Sequence, residues 1–198
     1  MNIAILVLAA GKSSRMQSIK QLEKIEGKTL LNITLEKAKL LQKNNVYCVL
    51  GANANRIKQS ISASKITTIY NENFTDGLST SIISGLNYFK NQQLKFDATF
   101  ILLADQPAID IAYLLSMKSL SLKNPTKIIA TKYPAHFGVP VIIPKIYFEA
   151  LLKINGDRGA KSFINAHKNE VLSSNLQTNH IDIDTKEQLN LFRKSILK

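Results

Sequence analysis

The 198-residue chain has no tryptophan, one cysteine and three histidines. A single cysteine excludes an intrachain disulfide and any thiolate cluster for zinc. Cys48 stands in the apolar stretch VYCVL, where a buried, inert thiol is expected. His136, His167 and His180 show no metal-ligand spacing, which gives no imidazole metal centre and no obvious general base. No window is long and apolar enough to span a bilayer. Acidic residues are also scarce, 14 against 26 Lys and Arg, for a formal charge of +12. Internal repeats, linkers and low-complexity tracts are missing as well, so the economical reading is one domain over residues 1–198.

A charge of +12 suits either a nucleic-acid backbone or a small polyanionic substrate. The lysines are scattered (Lys20, Lys24, Lys28, Lys37, Lys39, Lys43 and onward), with no basic tail and no nucleic-acid-binding signature. A small polyanion is therefore favoured. The apolar run from Ile3 resembles the core of a secretory signal only superficially. No Lys or Arg precedes it, and it ends by Gly11. With reduced cysteine and no signal, the expected location is the cytoplasm.

What is present is an alternation of apolar runs and helical periods. NIAILVLA, VYCVLG, KITTIY and ATFILLA have the continuous or β-branched apolar character of buried strands. Between them, Leu31, Leu35, Ala38 and Leu41 share one helical face, and Leu78, Ile82, Leu86 and Phe89 share another. Further helices are predicted over NRIKQSISA, IAYLLSMKSL, KIYFEALLKI and GAKSFINAH. KIIATKY and GVPVIIP form a strand pair around a loop at Tyr133–Phe137. IDIDTKEQLNLFRKS is predicted to be a strand entering a last helix, with Thr185 as N-cap and Gln188 in the reciprocal position. The pattern predicts an α/β fold with a mainly parallel central sheet.

In such sheets, ligands bind beyond the carboxyl ends of the strands. The first strand exits into AAGKSSRM. Gly11 permits close backbone approach, and Ala9 and Ala10 leave room for a flat base. Backbone N–H groups with the hydroxyls of Ser13 and Ser14 suit phosphate oxygens, and Lys12, Arg15 and Lys20 suit a triphosphate. The stretch matches neither the P-loop nor the Gly-x-Gly-x-x-Gly dinucleotide pattern. At the exit of ATFILLADQP, Asp105 is placed either to hold a hard cation against phosphates or to shape a turn.

Together these segments resemble the MobA-like nucleotidyltransferases, and most closely their molybdenum cofactor cytidylyltransferase branch. LAAGKSSRMQSIKQL is similar to the family's first signature, NENFTDGLSTSIISGL to its second, and LLADQP to its metal-binding Ala-Asp-Gln-Pro. GVPVIIP and GDRGAK are similar to its late motifs, and DIDTKEQL to its closing motif. The resemblance runs from Ile3 to about Leu189, with two departures: Gln17 replaces a usual Gly, and Gln188 a usual Asp.

The resemblance implies a three-layer α/β/α, Rossmann-like nucleotidyltransferase fold. It implies Mg²⁺ as cofactor and transfer of CMP from CTP to the terminal phosphate of molybdopterin cofactor, with release of pyrophosphate. Arg15, Lys20 and Asp105 would be catalytic. The nucleotide would lie against Leu8, Ala9, Ala10, Gly11, Lys12, Ser13, Arg15, Lys20, Gly77, Leu78, Ser79 and Thr80. The acceptor would meet Gly138, Gly156, Asp157 and Gly159, with Arg158 or Lys161 near its phosphate. Asp105 and either Asp182 or Asp184, with Asp184 preferred, would hold the metal. Ala-Ala-Gly accompanies cytidylyl transfer in that family, which favours CTP over GTP, and a molybdoenzyme is the implied recipient. The alternatives are a sugar- or polyol-phosphate nucleotidyltransferase, or a cofactor-delivery protein without turnover.

Overall fold

A computed structural model of the chain describes residues 1–61, 65–156 and 159–196. In chain order the elements are β1 (Ile3–Ala9), β2 (Lys24–Ile25), β3 (Lys28–Thr29), α1 (Leu30–Leu41), β4 (Val46–Leu50), α2 (Ala54–Ser60), β5 (Thr67–Tyr70) and α3 (Leu78–Asn91). They continue as β6 (Ala98–Leu103), α4 (Ile111–Lys123), β7 (Ile128–Lys132), β8 (Phe137–Pro144), α5 (Phe148–Leu151), α6 (Ala160–Ala166), β9 (Val171–Leu172) and α7 (Lys186–Ile196). A seven-stranded sheet has the order β5-β4-β1-β6-β8-β7-β9, and β2 pairs with β3 in a separate hairpin. β1 pairs in parallel with β4 and β6, whereas β8 runs antiparallel to both β6 and β7.

β1 lies in the middle of this sheet, and all seven of its residues are buried. Alternate side chains go to opposite faces. Ile3, Ile5 and Val7 pack with Leu31, Leu35, Ala38 and Leu41 of α1 and with Leu114 and Met117 of α4. Ala4, Leu6 and Leu8 pack with Ile82, Leu86 and Phe89 of α3 and with Phe163 and Ile164 of α6. This is the three-layer α/β/α arrangement. Each large aliphatic side chain so buried contributes about 1.5–3 kcal/mol of transfer free energy.

A third, smaller cluster matters more to the site. Met16, Ile25, Leu30, Ile183 and Leu189 are buried together, with Ile33 and Phe192 against them. It joins the segment after β1 to the β2–β3 hairpin and to the C-terminal arm. That arm corrects the sequence reading: Ile181–Asp184 is not a strand. Among the described residues its backbone joins the sheet through one hydrogen bond, from the Ile183 N–H to the Asp105 carbonyl at 2.9 Å. The sheet's eighth position is therefore never formed, and the apolar Ile183 is buried in the third cluster instead. The predicted capping box is present. Thr185 Oγ1 accepts from the Gln188 N–H at 3.2 Å, and Gln188 Oε1 accepts from the Thr185 N–H at 2.9 Å.

Candidate functional site

Beyond Ala9 the chain makes a loop that two non-glycine residues enter with left-handed backbone, Ser13 at φ 58° and Gln17 at φ 56°. Such conformations cost on the order of 1–3 kcal/mol each, so the surroundings must hold them. Two anchors do so. Met16 is fully buried in the third cluster. Gln21, only 3 % exposed, donates its amide to the carbonyls of Ala9 and Gly11, both at 3.0 Å. Its Oε1 accepts from the Ser13 hydroxyl at 3.1 Å, and the Ser13 oxygen accepts from the Lys20 N–H at 3.1 Å.

Beside the loop is a knot of charge. The Lys20 ammonium lies 2.6 Å from Asp105 Oδ2 and 2.8 Å from Asp184 Oδ1. Arg15, with an exposed side chain, reaches the other oxygen of Asp184 at 2.7 Å. Burial works against the charge of Lys20, but Asp105 and Asp184 outweigh it and raise its pKa above the ordinary lysine value. Burial likewise opposes ionisation of Asp184, but Lys20 and then Arg15 outweigh it and lower its pKa. Asp105 Oδ1 is buried and has no hydrogen-bond partner among the described residues. Asp182 is exposed as a residue, yet its carboxylate turns inward and accepts from Gln106 Nε2 at 2.7 Å. Partial desolvation, then the charges of Asp105 and Asp184, push its pKa up.

A cleft of about 360 Å³ opens where loop and charge knot meet. Leu8, Ala9, Ala10, Gly11, Lys12, Lys20 and Gln21 line one side. Phe74, Thr75, Gly77, Leu78, Ser81, Leu103, Ala104 and Asp105 complete it. Gly51 makes the approach of the Phe74 segment possible: a Cβ there would meet the Phe74 Cβ at 2.5 Å and the Ala10 carbonyl oxygen at 2.8 Å. Asn71, 1 % exposed, holds the same segment. Its amide donates to Thr80 and Ser81, and its carbonyl accepts from the Asn73 N–H and the Ser84 hydroxyl.

The structure thus brings together Leu8–Lys12, Lys20, Gly77, Leu78 and Asp105 at one cleft. Ser13 faces an adjacent groove with Ser14, Asn53 and Arg56. Its hydroxyl, expected on phosphate, donates to Gln21. Arg15 reaches the cleft's edge through Asp184 and does not line it. Ser79 is wholly buried, its hydroxyl without a partner among the described residues, and Thr80 caps its own turn by donating to the Asn73 and Gly77 carbonyls. Gly156 accepts the Ser79 N–H at 3.3 Å, and Gly159, at φ 52°, sits against Leu78, so both support the cleft wall. Gly138 lies against the ring of Tyr133. Asp157 and Arg158 lie outside the described residues.

The sequence reading gave no site role to Gln21, Asn71, Gln106 or Lys37. Gln21 and Gln106 stand one residue after Lys20 and Asp105, but an amide carries no chemical signature. Gln106 donates to both Asp182 and the Tyr133 hydroxyl. Lys37, half-buried on α1, donates to the carbonyls of Pro107 and Ile109 at 2.5 and 2.6 Å, tying down the turn after Asp105.

A family model described as the MobA-like NTP transferase domain matches residues 5–171. Bifunctional protein GlmU of Francisella philomiragia subsp. philomiragia is 30% identical over 119 residues, 59% of this chain. The chain spans about a quarter of that curated relative, 25% of its length. Among solved structures, the homolog of Mycobacterium tuberculosis Rv0371c from Mycobacterium sp. strain JC1 superposes with a TM-score of 0.81 at 22% identity, covering 98% of this chain and 96% of that one. CTP:phosphocholine cytidylyltransferase (LicC) from Streptococcus pneumoniae superposes with a TM-score of 0.73 at 13% identity, covering 100% of both chains. At these identities the superpositions establish the shared fold.

Proposed function

The chain belongs to the MobA-like NTP transferase family, and from that premise we propose that it transfers CMP from CTP to the terminal phosphate of molybdopterin cofactor. The observation that carries the reading is the convergence of the loop after β1, the Lys20 ammonium and the Asp105 carboxylate on one cleft, with Asp184 paired to the same ammonium behind them. The base lies against the small side chains of Ala9 and Ala10 and the wall made by Gly77 and Leu78. The triphosphate follows the loop toward Lys12, Lys20 and Arg15. An oxygen of the acceptor phosphate attacks the α-phosphorus. The bond from that phosphorus to the bridging oxygen breaks, and pyrophosphate leaves with the electron pair.

Lys20 stays protonated throughout the neutral range, because its pKa is raised. It and Arg15 therefore neutralise charge that builds on the non-bridging and leaving oxygens, a preorganised electrostatic effect. The attacking phosphate is ionised near neutral pH, so the step requires no general base. Its proximity to the α-phosphorus supplies the remainder of the catalysis.

The donor set also fits Mg²⁺. Asp105 offers a buried, unpartnered oxygen, and Asp184 presents a second carboxylate to the same ammonium. Among the described residues there is no cluster of three or more His, Cys, Asp or Glu ligands. Mg²⁺ needs few carboxylates, since water and substrate phosphates complete its shell. When bound, Mg²⁺ supplies Lewis-acid neutralisation of phosphate charge.

The preference for CTP rests on the Ala-Ala-Gly resemblance and is supported by the shared fold with a structure named as a CTP-dependent cytidylyltransferase. Calorimetry of CTP, GTP, ATP and UTP with Mg²⁺ tests it, on the wild type and Asp105→Ala. Selective CTP binding that weakens in the variant is expected. Selective GTP or ATP binding moves the base and the acceptor, and no binding of any nucleotide overturns the reading. Pyrophosphate release with molybdopterin cofactor against soluble sugar and polyol phosphates then identifies the acceptor.

A further inference from the structure

We infer that Gln21 is a positioning residue that sets the phosphate-facing backbone of the loop after β1. The inference rests on the nucleotide reading above. Gln21 is buried, sits outside any long helix or strand, and directs all three of its side-chain hydrogen bonds to one loop. Both amide hydrogens go to carbonyls, of Ala9 and Gly11. Two carbonyl partners fix which end of the side chain is nitrogen, so Oε1 must face the Ser13 hydroxyl. The result is a one-way relay: the Lys20 N–H donates to Ser13 Oγ, Ser13 donates to Gln21 Oε1, and Gln21 donates to Ala9 and Gly11.

The relay has a geometric consequence. In a trans peptide the C=O and N–H point in opposite directions. Holding the Gly11 carbonyl toward Gln21 therefore turns the Lys12 N–H away from it. Among the described residues that N–H has no protein acceptor, nor do those of Gly11 and Ser13. Free donors on a loop beside Lys12 and Lys20 suit phosphate oxygens. The relay also consumes the Ser13 proton, so Ser13 supports the loop and the backbone does the donating. Because Lys20 contributes its own N–H to the relay, loop shape and ammonium position are set together.

Hydrogen exchange and calorimetry on Gln21→Met test this. Met keeps the length of the side chain and removes its three hydrogen bonds. Without any ligand, exchange at the Met16 and Lys20 amides, which both donate to Ser13, is expected to quicken about ten-fold or more. Affinity for inorganic tripolyphosphate with Mg²⁺ is expected to fall about ten-fold, in step with CTP, because only the binding-competent fraction of loop conformations is reduced. Cytidine, which carries no phosphate, is expected to bind within about two-fold of wild type. A folded Gln21→Met protein with wild-type exchange and wild-type tripolyphosphate affinity overturns the assignment. So does an equal loss for cytidine, which is the mark of general structural damage. If Gln21→Met does not fold, Ser13→Ala, which cuts the two links through the Ser13 hydroxyl and leaves those from Gln21 to Ala9 and Gly11, carries the same comparison with about a three-fold effect. Wild type that binds neither CTP nor tripolyphosphate breaks the nucleotide reading. In that case the exchange result alone judges the relay, and unchanged exchange overturns it.

Discussion

The two halves of the site are held by different physics. The loop after β1 is shaped by neutral groups over a short span of chain, with Gln21 reaching back to Ala9, Gly11 and Ser13. The carboxylate side is held by charges that come from far apart: Lys20 meets Asp184 across 164 positions and Arg15 meets it across 169. Neutral hydrogen bonds are indifferent to pH and salt, and the charge knot is sensitive to both. The loop's shape is thus insensitive to pH and salt, while the knot's is not.

The largest effect tests the knot's chemistry. On the proposed function, Asp105→Ala is expected to lower CMP transfer by roughly 10³-fold, because that reading gives the cation to Oδ1, which has no partner among the described residues. Its stability is expected to change by only about 1 kcal/mol, since Lys20 retains Asp184. Pyrophosphate release and a denaturant melt on one sample read both. A variant that turns over normally removes Asp105 from the mechanism.

Next is Lys20→Met. It leaves Asp105 and Asp184 facing one another with no ammonium between them. Transfer is expected to fall about 10²-fold. The melting temperature without metal is expected to drop, and Mg²⁺ is expected to restore more of it than it adds to wild type. Thermal melts across a Mg²⁺ series check this; an identical Mg²⁺ response in both proteins shows that the carboxylates do not form a cation seat.

This contrast also explains what could be read from the sequence. Strands and helices were legible because apolar periodicity is local, and Leu31, Leu35, Ala38 and Leu41 of α1 all turn inward as their spacing requires. Lys20 and Asp105 were singled out by the resemblance of LAAGKSSRMQSIKQL and LLADQP to family motifs, since a carboxylate at a strand exit can equally shape a turn, and the fold brings the two within 2.6 Å of each other. Gln21, Asn71 and Gln106 were not, because a buried amide has the same letter as an exposed one, and its partners are backbone atoms. The choice of Asp184 over Asp182 as the partner of Lys20 also needed three dimensions. Alternating Ile-Asp-Ile-Asp suggests a strand with both carboxylates on one face. The arm instead docks through the Ile183 side chain and N–H. Lys20 then takes Asp184, while Gln106 takes Asp182.

A pH titration of one variant from each half separates the two. The pKa of Asp184 is lowered in the fold. Its contribution to stability is therefore complete above the ordinary carboxylate value of about 4 and is lost as pH falls through the lowered folded value. Lys20→Met is expected to flatten that acid limb, and Gln21→Met is expected to leave its shape unchanged, since an amide does not titrate. Denaturant midpoints between pH 2 and 6, ranges of about that width being accessible to small domains, decide it. An acid limb unchanged in Lys20→Met places the titrating group elsewhere.

The smallest effect tests how a remote arm delivers Asp184 at all. Thr185 and Gln188 close a capping box at the start of α7, and Gln188 Oε1 also accepts the N–H of Asp184 itself at 2.8 Å. Thr185→Ala removes one cap and is expected to cost about 1 kcal/mol of stability. Asp184 keeps its bond to Gln188, and Ile183 keeps its burial, so transfer is expected to fall only about three-fold, through weaker Mg²⁺ dependence and not through CTP affinity. Gln188→Ala removes the bond to Asp184 and is expected to raise the Mg²⁺ requirement further at a similar cost in stability. If both variants lose stability equally while the Mg²⁺ requirement stays at wild type, Asp184 is fixed by Ile183 and Lys20 alone. The arm is then positioned by burial and charge, with the helix cap serving only the helix.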